Sequence, residues 1–83
     1  MKQDNLVGLL EYLTKSLVEK PDEVFVDEYR SGNTMHLELQ VGPEDIGRVI
    51  GKHGRVANAI RSLLKVVAAK QGVQVVMDVI DLE

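Results

Sequence analysis

Apolar residues in the first quarter of the chain fall at a helical spacing. Leu6, Leu9, Leu10, Leu13 and Leu17 recur every three or four positions, which predicts an amphipathic helix over residues 4–19. Asp4 or Asn5 can cap its N-terminus, and Lys20-Pro21 ends it. The period then changes. Val24, Phe25, Val26 and Tyr29 give Glu23–Arg30 the composition of a strand, and Ser31-Gly32-Asn33 is a turn signal. From Thr34 to Val41 the alternation is clean. Met35, Leu37, Leu39 and Val41 share one face, and Thr34, His36, Glu38 and Gln40 share the other. That is a strand with one wet face, and the two strands form a hairpin.

Gly42-Pro43 stops this strand and opens a short helix running to about Ile50, with Pro43 suited to the first helical position. Glu44 and Asp45 fall in its first turn, where the helix dipole favours negative charge. After Gly51–Gly54 a longer helix is predicted over about Arg55–Gln71. Val56, Ile60, Leu63, Leu64 and Val67 form its apolar stripe, and Asn58, Arg61, Ser62 and Lys65 its polar one. Gly72 suits a C-terminal cap, and the valine-rich run Val73–Asp81 is a last strand. The order is therefore α-β-β-α-α-β. A two-helix crossover lets the last strand lie parallel to the second. The simplest result is a two-layer α+β domain: a three-stranded mixed sheet, second strand central, with all helices on one face.

At 83 residues the chain is one small domain, 1–83. It has no cysteine, which excludes disulfides and thiolate metal sites. No signal-type apolar segment or bilayer-length apolar run is present, so the expected location is the cytoplasm, without membrane insertion. The net charge of −3 argues at first against a polyanion partner. Its distribution reverses that argument. Between Ile46 and Met77 there is no acidic residue, yet Arg48, Lys52, Arg55, Arg61, Lys65 and Lys70 all fall there. Such polarisation gives one face that attracts polyanions and another that repels them.

Gly51-Lys52-His53-Gly54 lies inside that basic window, with Arg48 and Arg55 on its flanks. Two glycines allow close approach of another backbone because no Cβ intervenes. Main-chain amides at the start of the following helix favour an anion. Lys52 adds a mobile charge, and His53 a donor whose charge rises below about pH 6.5. Ile46, Val49 and Ile50 are candidates for an apolar floor beneath bases. The sequence thus points to a phosphodiester chain gripped at Gly51–Gly54.

The run from Ile46 to Arg55, followed by Ile60, closely resembles the core pattern of KH domains, an Ile-Gly-x-x-Gly turn between two helices with an aliphatic residue beyond. The element order resembles the prokaryotic, type II arrangement. A lone KH domain with a leading leucine-rich helix is similar to the small bacterial KhpA family. That resemblance implies a single-stranded RNA-binding protein that acts as an RNA chaperone and post-transcriptional regulator. It implies a homodimer, or a heteromer with a larger Jag-type partner, KhpB, and a link to cell-wall homeostasis and cell shape. It further implies a clamp on about four unpaired nucleotides, with the second strand, Thr34–Val41, as the other groove wall reading base edges.

Other chemistries fit poorly. Gly47-x-x-x-Gly51-Lys52 is one residue short of a P-loop, has His53 where Ser or Thr is needed, and follows no strand. Two distant histidines and scattered carboxylates predict no metal site. No nucleophile–base pair predicts an enzyme, and no cofactor is implied. Tyr12, Phe25 and Tyr29 are the only aromatics, so base stacking should be minor and sequence preference weak. The alternative function is a protein-interaction subunit of a larger RNA-binding complex, with little RNA affinity of its own. Ala57, Ala59, Ala68 and Ala69 would let another subunit approach closely.

Overall fold

The computed structural model describes residues 6–80. Helix α1 spans Leu6–Leu17, and strands β1 and β2 span Phe25–Ser31 and Thr34–Gln40. Helix α2 is short, Ile46–Ile50, and α3 long, Arg55–Lys70; strand β3 is Gln74–Ile80. The sheet order is β1-β2-β3, with β1 antiparallel and β3 parallel to β2. This is the type II KH arrangement expected from the sequence, an α+β layer pair with the second strand in the centre.

Two boundaries differ from expectation for physical reasons. The predicted cap at Asp4 or Asn5 and the strand end at Asp81 lie outside the described residues. Helix α1 stops at Leu17, because the amides of Glu19 and Lys20 leave the helical ladder for a side-chain carboxylate. The segment after Pro43 begins as a 3₁₀ turn, Pro43–Asp45, and becomes α-helical only at Ile46.

The core lies between the sheet and the helices. Leu37 and Leu39 point down from β2, Leu6 and Leu10 come from α1, Val49 from α2, and Ile60 and Leu64 from α3. The buried stripe of α3 runs Ala57, Ile60, Leu64 and Ala68. Leu63, expected inside, is 51% exposed. The face is centred on two alanines, which carry little hydrophobic signal, so the large residues alone placed the stripe one position off. For the same reason Ala57 and Ala68 are not free for another subunit, being enclosed in this one.

Two local devices fix the sheet register. Helix α3 ends in a Schellman motif, with Gly72 N–H donating to Ala69 and Val73 N–H to Ala68. Asn33 at the hairpin tip then clips onto that connection. Its side-chain amide donates to the Gly72 carbonyl at 3.0 Å, and its own carbonyl accepts from Gln74 N–H at 2.9 Å. The start of β3 is thereby held against the start of β2.

Asp45 braces the other end. Its carboxylate is 1% exposed and accepts from Glu19 N–H and Lys20 N–H, both at 3.1 Å, and from Arg48 Nε at 3.0 Å. Arg48 also pairs with Glu19 at 3.0 Å, and Lys20 with Glu44 at 2.9 Å. One carboxylate thus ties the end of α1 to the start of α2. The Glu19 amide, then the Lys20 amide and the Arg48 charge, hold its pKa below the ordinary 3.8 against an opposing effect of burial. A depressed carboxyl pKa stabilises the fold above the unfolded value and stops doing so as pH falls through the folded one. Asp45→Asn should therefore lower the melting temperature at neutral pH. The difference from the native chain should shrink below about pH 4, as followed by circular dichroism.

Candidate nucleic-acid interface

The chain reverses between α2 and α3 within four residues. Gly51 has φ +78 and ψ 172, a conformation essentially restricted to glycine. An added Cβ would stand 2.5 Å from Val56 Cγ2 and 2.8 Å from Val56 N. Gly54 is left-handed, φ +75 and ψ 15, with only Asn58 Nδ2 at 3.7 Å from an added Cβ. His53 between them is left-handed too, φ +59. It is the only described non-glycine residue at positive φ, a state that costs a side chain about 1–2 kcal/mol.

This geometry decides which amides face outward. Gly51 N–H is spent on the Gly47 carbonyl, Gly54 N–H on Gly51, and Arg55 N–H on Lys52. The amides of Lys52 and His53 have no such partner among the described residues. An anion approaching this turn would therefore meet those two residues rather than the glycines, which provide the bend and the clearance. Their side chains are exposed, as is that of Arg55. The sixteen-residue α3 starts directly behind them and adds the partial positive charge of its N-terminus.

Not every predicted contact residue reaches this surface. Lys52, His53 and Arg55 cluster at the turn, with Gly51, Gly54 and Ile46 half-buried beside them. Ile50 is 37% exposed and can serve as apolar floor. Val49 cannot, because it is fully enclosed in the core and supports the floor from beneath. Arg48 is exposed, but its guanidinium is held by Glu19 and Asp45. A phosphate would have to compete for it.

The groove wall also differs from expectation. Strand β2 is hydrogen-bonded on both sides, to β1 and to β3. Its main chain has nothing left with which to read base edges. The strand beside the basic helix is β3, whose outer edge faces α3. Arg61, Lys65, Val75 and Met77 line a cleft of about 240 Å³ there, together with the acidic Asp78, and Arg61 Nε donates to the Met77 carbonyl at 2.9 Å. Arg61 and Lys65 were legible as basic residues but not as a cleft wall, since nothing local shows which strand α3 lies against.

The family model described as KhpA/KhpB, KH domain, matches residues 8–79. The chain belongs to this family. The RNA-binding protein KhpA of Clostridium acetobutylicum is 51% identical over 72 residues, covering 87% of this chain and 96% of that protein. The RNA-binding protein KhpA of Halalkalibacterium halodurans is 47% identical over 73 residues, 88% and 96% of the two chains. The RNA-binding protein KhpA of Borreliella burgdorferi is 42% identical over 77 residues, 93% and 94% of the two. These matches extend over most of both chains, so the likeness reaches beyond the turn to the whole KH unit. Among the described residues, no helix is long and apolar enough to cross a membrane.

The two glycines of this KH turn carry different loads. Gly51→Ala should cost about 3 kcal/mol or more, because strain and a main-chain clash add. Gly54→Ala should cost only about 1–2 kcal/mol, the left-handed penalty alone. Urea denaturation of the two variants beside the native chain checks the ranking.

Proposed function

We propose that this chain is a single-stranded RNA-binding protein that grips the sugar-phosphate backbone at Gly51–Gly54. The observation that carries this reading is the pair of unpartnered amides at Lys52 and His53, set at the head of α3 among exposed cations. Phosphate oxygens accept from those amides, while Lys52 and Arg55 neutralise charge. Ile46 and Ile50 offer bases a shallow apolar floor, and the cleft between α3 and the edge of β3 takes their edges, with Arg61 and Lys65 along its wall. No aromatic lines the cleft between α3 and β3, which supports a weak, sequence-tolerant grip of about −8 kcal/mol, in the micromolar range.

A weak, sequence-tolerant grip suits an RNA chaperone or post-transcriptional regulator working in the cytoplasm. The link to cell-wall homeostasis and cell shape rests on the family resemblance alone. The protein-interaction reading has its own support. An apolar groove of about 480 Å³ runs between α1 and α3, bordered by Tyr12, Leu17, Ala59 and Leu63, three of which are exposed large side chains. Arg55 and Val56 belong to the same groove, so a second copy seated there brings two basic turns together and raises avidity for one strand. A KH domain of the larger KhpB-type partner would use the same groove.

Lys52→Asp combined with His53→Asp should abolish binding of an unstructured RNA oligomer. The melting temperature should hardly change, because both residues face solvent and Asp tolerates the left-handed state of position 53. With about three phosphates neutralised, the native chain should show a log–log salt slope near −2; fluorescence anisotropy measures both. Leu63→Asp should convert a native dimer to a monomer in light scattering while leaving the fold intact. A native chain that is already monomeric would refute the dimer reading.

A further inference from the structure

The sheet has a second face, and no helix among the described residues covers it. Its side chains fall into four cross-strand rows, with Ser31, Thr34 and Gln74 forming the one at the hairpin end. Tyr29, His36 and Val76 are directly paired, as are Asp27, Glu38 and Asp78, and then Phe25, Gln40 and Ile80. The Asp27 row sets three carboxylates side by side on three adjacent strands. Like charges directly opposite destabilise a sheet, and none of the three is in an ion pair among the described residues. The rows on either side of the carboxylates are mostly apolar and aromatic, with Gln40 the exception. Phe25 is 58% exposed and Tyr29 55%; Tyr29 stacks on His36 with centroids 4.6 Å apart and planes 5° from parallel. Two of the three aromatics of the chain are thus spent on an exposed surface and none on the core.

We propose that this open face is a docking surface for an extended, cationic segment of a protein partner. Charge complementarity selects that occupant. A nucleic acid is repelled by the carboxylate row, although the aromatic rings would otherwise suit bases. A second copy docked face to face would set this row against itself. A polypeptide strand fits the pattern in detail. Rows on one sheet face are about 6.5–7 Å apart, the same spacing as alternate side chains of an extended segment. A segment with apolar, cationic and apolar residues at alternate positions therefore places its charge on the carboxylates and its apolar groups on the flanking rows. Arg in the middle position also gains contact with the faces of Tyr29 and Phe25. Packing strand on sheet in a nearly aligned direction is an ordinary geometry. The chain then carries two interfaces, a basic one for a polyanion and an acidic one for a polypeptide, which meet at the edge of β3, where Val76 and Asp78 also line the cleft.

The test is a nuclear magnetic resonance titration of the full chain. The probe is an end-blocked peptide with leucine, arginine and leucine at alternate positions separated by serine. Its control carries glutamate in place of arginine. The arginine peptide should shift Asp27, Tyr29, His36, Glu38 and Val76 and leave Lys52 and His53 unmoved, while the glutamate peptide shifts nothing. The triple variant D27N/E38Q/D78N should weaken the arginine peptide about tenfold or more. The variant E11Q/D22N/E28Q, which removes equal charge elsewhere, should not. The D27N/E38Q/D78N chain should melt no lower than the native one, since it loses only repulsion. Four results would overturn the proposal: no shifts on the sheet face, equal weakening by both triple variants, undiminished binding by D27N/E38Q/D78N, or an unstructured RNA that shifts Asp27, Tyr29 and Glu38 instead of the peptide.

Discussion

The reversal at Gly51 is the constraint on which the site depends. Main chain and side chain of Val56 fill the volume a Cβ would need, so α2 and α3 can approach at this angle only through glycine. That one bend directs the amides of Lys52 and His53 away from internal partners and aligns them with the start of α3. A wider turn would spread these groups apart. A tighter one would consume their amides, as it already does those of Gly51, Gly54 and Arg55. The strained state of His53 is the cost of this arrangement, and Val49 in the core anchors the helix that leads into it.

The bend needs a fixed frame, which comes from polar contacts as much as from the core. Asp45 holds the end of α1 to the start of α2, while Asn33 and the Schellman motif hold β3 to the hairpin. In a domain of this size the buried core is small, so a few well-satisfied polar ties decide how its elements are oriented. Arg48 links frame and site. In the free chain its guanidinium belongs to the brace, and a phosphate would draw it away from Glu19.

Much of the fold was legible from local pattern. The clean alternation from Thr34 to Val41 specified both the strand and the face it buries. The crossover through two helices is long enough for the parallel β2–β3 pair that forms. What failed was information carried by small or polar residues. Ala57 and Ala68 centre the buried face of α3 without hydrophobic weight, and Asp45 reads as a first-turn acid until its partners 25 and 26 positions away are seen. At the site, residue types were legible but directions were not. The glycines signal clearance, but which amides the bend leaves facing outward is not readable from them. Val49 turns into the core rather than to the apolar floor expected of it, and the strand expected to wall the groove has its main chain already saturated. Each error concerns orientation across the fold, which a linear pattern does not encode.

The central claim is that the Lys52 and His53 main-chain amides hold the phosphate. The amide resonances of the native chain during titration with an unstructured RNA oligomer test it most directly. The account predicts that these two amides shift first and furthest and become protected from solvent exchange, followed by Arg61 and Lys65. Unchanged, unprotected amides at Lys52 and His53 under saturating RNA would contradict it.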